Sequence, residues 1–137
     1  MSDCIFCKII KEEIPCYKIL ETKNLIVFLD ISQATKGHTL IVSKKHYRTI
    51  LETPSKISEE AFELAKKLGQ IYIKVLKAKG INILTNAYEA AGQSVPHFHI
   101  HVIPRYGIED KITIKAEANK FSQKQFITLC EKIKKSL

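Results

Sequence analysis

The chain has 137 residues, enough for one domain with a substantial core, and a formal net charge of +8. No apolar run approaches the roughly 18 residues of a membrane span and the N-terminus lacks a signal-peptide pattern, which excludes a membrane protein and makes a cytoplasmic location the expectation. The lysines are scattered except for Lys132, Lys134 and Lys135, and no nucleic-acid module is present, so the charge implies a solvated surface that favours small anions, not a polynucleotide.

Cys4-Ile5-Phe6-Cys7 opens the chain with a C-x-x-C pair. In a reducing compartment the four cysteines are not a disulfide framework. A redox pair follows a strand, and none can precede residue 4, so a zinc half-site is the better reading. It needs two more ligands, and histidine is the obvious supply; two buried cysteines without metal are the alternative. Residues 8–13 read as a short helix closed by Ile14-Pro15, because a residue before proline avoids the helical region.

Residues 17–21 and 25–30 read as strands joined by a turn at Lys23-Asn24. The second is apolar on both faces and belongs inside a sheet. Asp30, at its end, is either the acceptor of two ribose hydroxyls or a loop-capping carboxylate. A third strand covers 38–42 and leaves the sheet at Ser43-Lys44-Lys45-His46. His38 and His46 then lie at its two ends, roughly 25 Å apart if extended, and serve different centres.

The longest helix is expected to open at Ser58 as N-cap, with Ile57 stapled onto Phe62, and to end at Gly80. Its buried stripe takes in Ala61, Leu64, Ala65, Leu68, Ile71 or Tyr72, Val75 and Leu76. A fourth strand covers 81–86, ending at Asn86, and the small, polar residues 87–94 form a loop able to offer N–H groups and the Ser94 hydroxyl to a phosphate. His97, His99 and His101 alternate with Phe98, Ile100 and Val102, the pattern of a strand with imidazoles on one face about 6.5 Å apart and apolar residues on the other. Neutral imidazole is a nucleophile, a proton carrier and a metal ligand near neutral pH. Spacing alone does not say which of the three reacts. A capping box and staple at Phe121-Ser122-Gln123-Lys124-Gln125-Phe126 open a last helix, with Phe126, Leu129, Cys130, Ile133 and Leu137 on its apolar face and Cys130 expected buried.

The stretch His97-Phe98-His99-Ile100-His101-Val102-Ile103 resembles the histidine triad (HIT) motif. Gly92-Gln93-Ser94-Val95, Ile5-Phe6-Cys7-Lys8-Ile9-Ile10 and Phe28-Leu29-Asp30-Ile31-Ser32 are similar to the Hint-like branch, so the likeness spans residues 4 to about 106. It implies an α+β, HIT-like fold: an antiparallel sheet of about five strands, one long helix packed on it and a C-terminal helix. The HIT domain would cover 1–108 and a diverged extension 109–137, and the chain would form a homodimer.

The resemblance also implies hydrolysis at the α-phosphate of purine nucleotides such as AMP or GMP derivatives, with His99 forming a nucleotidyl-histidine. His38 and His101 would hold the phosphate, Ser94 would meet the leaving group, Asp30 would take the ribose, and Asn86, Gly92 and Gln93 would lie by the phosphate. Ile5, Phe6, Ile9, Phe28 and Leu40 would form the base slot. Structural zinc would sit on Cys4, Cys7, His46 and His97, a subgroup trait, and no Mg²⁺ would be needed. The alternatives are a dinucleoside polyphosphate hydrolase and a non-catalytic zinc-stapled nucleotide-binding module.

Overall fold

Five short strands use up their backbone hydrogen bonds in one antiparallel sheet, ordered β1-β2-β3-β5-β4. In the computed structural model, which describes residues 3–137, these are β1 (Lys18–Glu21), β2 (Leu25–Leu29), β3 (Thr39–Ser43), β4 (Gly80–Leu84) and β5 (His99–Arg105). The inner strands β2 and β3 are buried on both faces, as their unbroken apolar runs require. Helices α1 (Ile5–Ile10), α2 (Ser55–Val75) and α3 (Gln123–Lys134) complete the chain. Among the described residues, no helix is long and apolar enough to cross a membrane.

The two faces of the sheet carry different loads. On one, α2 lays Ala61, Ala65, Leu68 and Tyr72 over Leu25, Val27, Ile41, Phe98, Ile100 and Val102. On the other, α1 presents Phe6 and Ile9 to Ile26, Phe28, Leu40 and Val42. The period-two alternation of β5 therefore sends Ile100 and Val102 into the α2 core and His99 and His101 to the α1 face. Register is set by Leu40 opposite His101 and Val42 opposite His99 on β3, and by Leu84 opposite His101 on β4.

Several expected boundaries shift. Helix α2 opens at Ser55 behind Pro54, whose fixed φ of −55° precedes the first turn. Ser58 is thus not the N-cap; its hydroxyl donates back to the Ser55 carbonyl at 3.1 Å, and Ile57 is already inside the helix and packs on the core. The helix ends at Leu76, followed by Lys77 with φ +62°, so the expected glycine stop at Gly80 is instead the first residue of β4, opposite Arg105. Of Ile71 and Tyr72, Tyr72 is the buried one, and its hydroxyl meets Thr39 Oγ1 at 2.6 Å. Val75 is exposed.

Helix α3 has its expected capping box, with Phe121 and Phe126 rings 5.5 Å apart. None of its residues is buried, however. Phe126 is 54% and Leu129 43% exposed, and Cys130 is an exposed free thiol, contrary to the buried position expected from the helical stripe. A periodic apolar face says that a helix has something to cover, not that its own chain supplies it.

Ile100 has no exposed surface. Ile100→Ala is expected to cost about 2–5 kcal/mol in urea unfolding. Ile108→Ala, at a fully exposed position, should stay within about 0.5 kcal/mol of the parent.

Candidate active site and metal centre

A cavity of about 540 Å³ opens on the α1 face, between α1, residues 14–17, the end of β2, β3 and β5. Ile5, Phe6, Ile9, Phe28 and Leu40 form an apolar wall, and Asp30, Ser94, His99 and His101 stand at a polar end. A mostly apolar slot with a few convergent polar groups suits a small organic ligand.

Backbone partners settle the tautomer of each buried ring. His99 Nδ1 lies 2.6 Å from the His97 carbonyl, which only accepts, so Nδ1 carries the proton and Nε2 keeps its lone pair. Ala34 N–H donates to His38 Nδ1 at 3.1 Å, so the His38 proton sits on Nε2. That Nε2–H donates to His101 Nδ1 at 2.9 Å, which leaves the His101 proton on its own Nε2. One backbone amide thereby orients two imidazoles in series. The ring of His99 lies 5.0 Å from that of His101, and Phe6 packs edge-on against His99 at 5.0 Å.

Burial, which penalises the imidazolium, pushes His99 and His38 below the ordinary imidazole value, with Asp30 opposing the shift in both. Burial pushes His101 down to about 4, aided by repulsion from His99 and His38. These rings are neutral at pH 7. Asp30 Oδ2 is 3.6 Å from His38 Nε2, and its Oδ1 accepts the Ser32 N–H at 2.8 Å, so the carboxylate is both loop cap and cavity wall.

A second cluster lies on the other side of Phe6. His97 Nδ1 is 3.3 Å from Cys4 Sγ and 3.6 Å from Cys7 Sγ, and His46 Nδ1 is 3.3 Å from Cys7 Sγ. The four ligand atoms all lie within 4.8 Å of one another. Tetrahedral zinc sets neighbouring sulfur and nitrogen ligands about 3.5 Å apart, so the donor set fits. His97 Nε2–H donates to the Ser43 carbonyl at 2.6 Å, which frees Nδ1 to bind. Asp30, His38 and His101 also bring three ligand atoms within 4.8 Å. There the Ala34 N–H keeps the proton on His38 Nε2, so that nitrogen lacks the lone pair a metal needs.

A family model described as HIT domain matches residues 11–108. The chain belongs to the HIT family. This HIT protein is 43% identical over 109 residues to Protein hit of Bacillus subtilis, covering 80% of this chain and 75% of that one. It is 42% identical over 102 residues to the adenosine 5′-monophosphoramidase of Saccharomyces cerevisiae, covering 74% of this chain and 62% of that one. The crystal structure of a HIT-family member from Bacillus subtilis superimposes with a TM-score of 0.90 at 36% identity, over 98% of this chain and 97% of that one. A zinc-bound histidine triad protein from Mycobacterium smegmatis does so with a TM-score of 0.76 at 28% identity, over 99% of both chains.

The HIT chain brings the expected residues together with some changes of role. His38 and His46 do fall in separate clusters. His97 precedes β5 in a bend, its N–H turned to the Val95 carbonyl, while its ring stays on the His99 side. The N–H groups of Gly92 and Gln93 close a tight turn onto Glu89 and Tyr88, and Asn86 Nδ2 donates to the Gly92 carbonyl at 3.4 Å, so Ser94 is the loop residue that faces the cavity. The Gln93 side chain spans Arg48 and Tyr88. Sequence reasoning missed Ala34 and Thr85, whose hydroxyl donates to the His99 carbonyl at 2.6 Å, and it gave Cys16 no role although Cys16 lines the cavity. A backbone donor leaves no trace in residue type.

NMR titration of the His101 ring is expected to give a midpoint near 4. A midpoint near 6.5 would contradict its burial. Its folded value lies below the unfolded one, so the stability it contributes is complete above about pH 6.5 and is lost as pH falls toward 4.

Proposed function

We propose that this HIT protein hydrolyses purine nucleotides at the α-phosphate, as nucleoside phosphoramidates or adenylates, through a nucleotidyl–His99 intermediate. The observation that carries the reading is the 2.6 Å bond from His99 Nδ1–H to the His97 carbonyl, which leaves the Nε2 lone pair free in the cavity. The name of the yeast relative, an adenosine 5′-monophosphoramidase, supports the choice of substrate.

The base occupies the slot of Ile5, Phe6, Ile9, Phe28 and Leu40, and the ribose hydroxyls bond Asp30. His99 Nε2 forms a bond to phosphorus as the bond to the leaving amine breaks. The amine departs with that electron pair and one proton, relayed from solvent through Ser94. The ring becomes a nucleotidyl-imidazolium whose Nδ1–H stays on the His97 carbonyl. Water then attacks phosphorus, the phosphorus–nitrogen bond breaks, and one proton returns to solvent. The products are the nucleoside monophosphate, the amine and neutral His99. His101 Nε2–H donates to the phosphoryl oxygens, and His38 holds it in that tautomer. Asn86, Gly92 and Gln93 shape the loop that carries Ser94. These steps use no Mg²⁺.

Zinc on Cys4, Cys7, His46 and His97 ties α1 to the strand that bears the nucleophile and takes no part in bond making. Homodimerisation belongs to the same reading. β4 is an edge strand, and Ile83 on it, with Phe62 and Ile73 on α2, exposes apolar surface that a second copy covers.

Acid-quench labelling with an adenosine phosphoramidate should trap one acid-labile nucleotide on His99, and His99→Ala should slow turnover on the order of 10³-fold or more. Full turnover by the variant would refute the intermediate. Faster cleavage of a diadenosine polyphosphate than of the phosphoramidate would move the protein to that substrate class. Elemental analysis should find zinc in the parent protein and little in Cys7→Ser, with a lower Tm; zinc-free parent protein would remove the metal from the account.

A further inference from the structure

The apolar slot accounts for the nucleotide but not for what leaves it. A second cavity of about 500 Å³ adjoins the first, and the two share Ile5, Ser94 and Val95 as common wall. An in-line displacement puts the leaving group opposite His99, and Ser94, the residue assigned to it, opens onto this second space. Its lining contains one arginine, Arg48.

Arg48 is held in place. Its guanidinium lies over the Tyr88 ring, 5.2 Å from the centroid. Its carbonyl accepts Gln93 Nε2–H at 2.7 Å, and Gln93 Oε1 accepts the Tyr88 N–H at 2.8 Å. Gln93 thus locks Arg48 and Tyr88 together one residue before Ser94. Tyr88 has φ +74° and ψ 161°, a conformation that side-chain-bearing residues avoid and that these contacts maintain. No carboxylate lies within salt-bridge distance of Arg48 among the described residues. Of the other ionisable groups on the lining, Cys4 and His46 belong to the metal cluster, and Asp3, exposed as Arg48 is, lies beyond salt-bridge distance of it.

We propose that Arg48 is the specificity determinant of the leaving-group side, and that the preferred substrates are nucleoside phosphoramidates whose leaving amine carries an anionic group of the carboxylate or sulfonate type. This rests on the hydrolase reading above and adds the substrate class to it. A guanidinium presents paired N–H donors that match such an anion, which a neutral amine cannot use.

Adenosine 5′-phosphoramidates of β-alanine, taurine and propylamine differ only at the far end of the leaving group. The protein should show a kcat/KM about five- to tenfold higher for the two anionic substrates, the effect of one charge-assisted contact at an exposed arginine. Arg48→Ala should erase that preference, bringing the three substrates to the same kcat/KM, while Arg48→Lys retains part of it. A preference confined to β-alanine supports the proposal and narrows the class to carboxylates. Equal loss on all three substrates in Arg48→Ala, or no preference in the parent protein, overturns it. Equilibrium binding of the same compounds to His99→Ala, with and without Arg48→Ala, reads the subsite without chemistry. Arg48-dependent discrimination there, with no hydrolysis by the parent protein, would keep the subsite and discard the catalytic reading. Its absence there overturns the proposal.

Discussion

The hydrogen bond from His99 Nδ1–H to the carbonyl of His97 governs the site. It joins residues two apart in the chain, His97 in the bend that leads into β5 and His99 at the first position of the strand, so local backbone geometry brings the ring over its acceptor. It fixes which nitrogen of His99 can share electrons, and it holds a carbonyl dipole against the ring if the ring becomes cationic. The same His97 offers its ring nitrogen to the cysteine cluster and its Nε2–H to Ser43. One residue couples the metal-type site to the histidines of the cavity through its main chain and its side chain at once.

Burial makes the arrangement workable. Three unshielded imidazoles close together compete for protons and repel once charged. Under α1 and the sheet, desolvation penalises the imidazolium and holds His99, His101 and His38 below the ordinary imidazole value. Phe6 stands edge-on to both His97 and His99 and separates the thiol cluster from the cavity with apolar contact. Two arrangements with opposing needs, a closed set of metal-type donors and a neutral imidazole open to the cavity, therefore share one short segment.

The loop before β5 illustrates a different economy. Its glycine and glutamine amides are consumed in closing the turn, so it presents a hydroxyl at Ser94 and not a nest of free N–H groups. The strain at Tyr88 and the double use of the Gln93 side chain keep that hydroxyl between the two cavities. The arginine on the second cavity, Arg48, comes from a separate segment and stacks on Tyr88. Helix α3 lines neither cavity, opens on its own capping box and has none of its residues buried.

The local pattern by itself determined much of this protein. The alternation of residues 97–102 put imidazoles on one face and apolar residues in the core, because side-chain direction in extended backbone depends only on neighbours in the chain, and the cysteine spacing marked a metal half-site whose two histidines were named only by the family resemblance. Only the tertiary structure decided how each ring is used. His38 takes its tautomer from Ala34 and hands it to His101 across 63 residues, and His97 meets a carbonyl 54 residues away. The exposure of Cys130, the cap of α2 and the place of Arg48 were equally out of reach, since each depends on which distant surface or backbone group the folded chain brings near. Residue type fixes what a side chain can do, and register fixes which partner it meets.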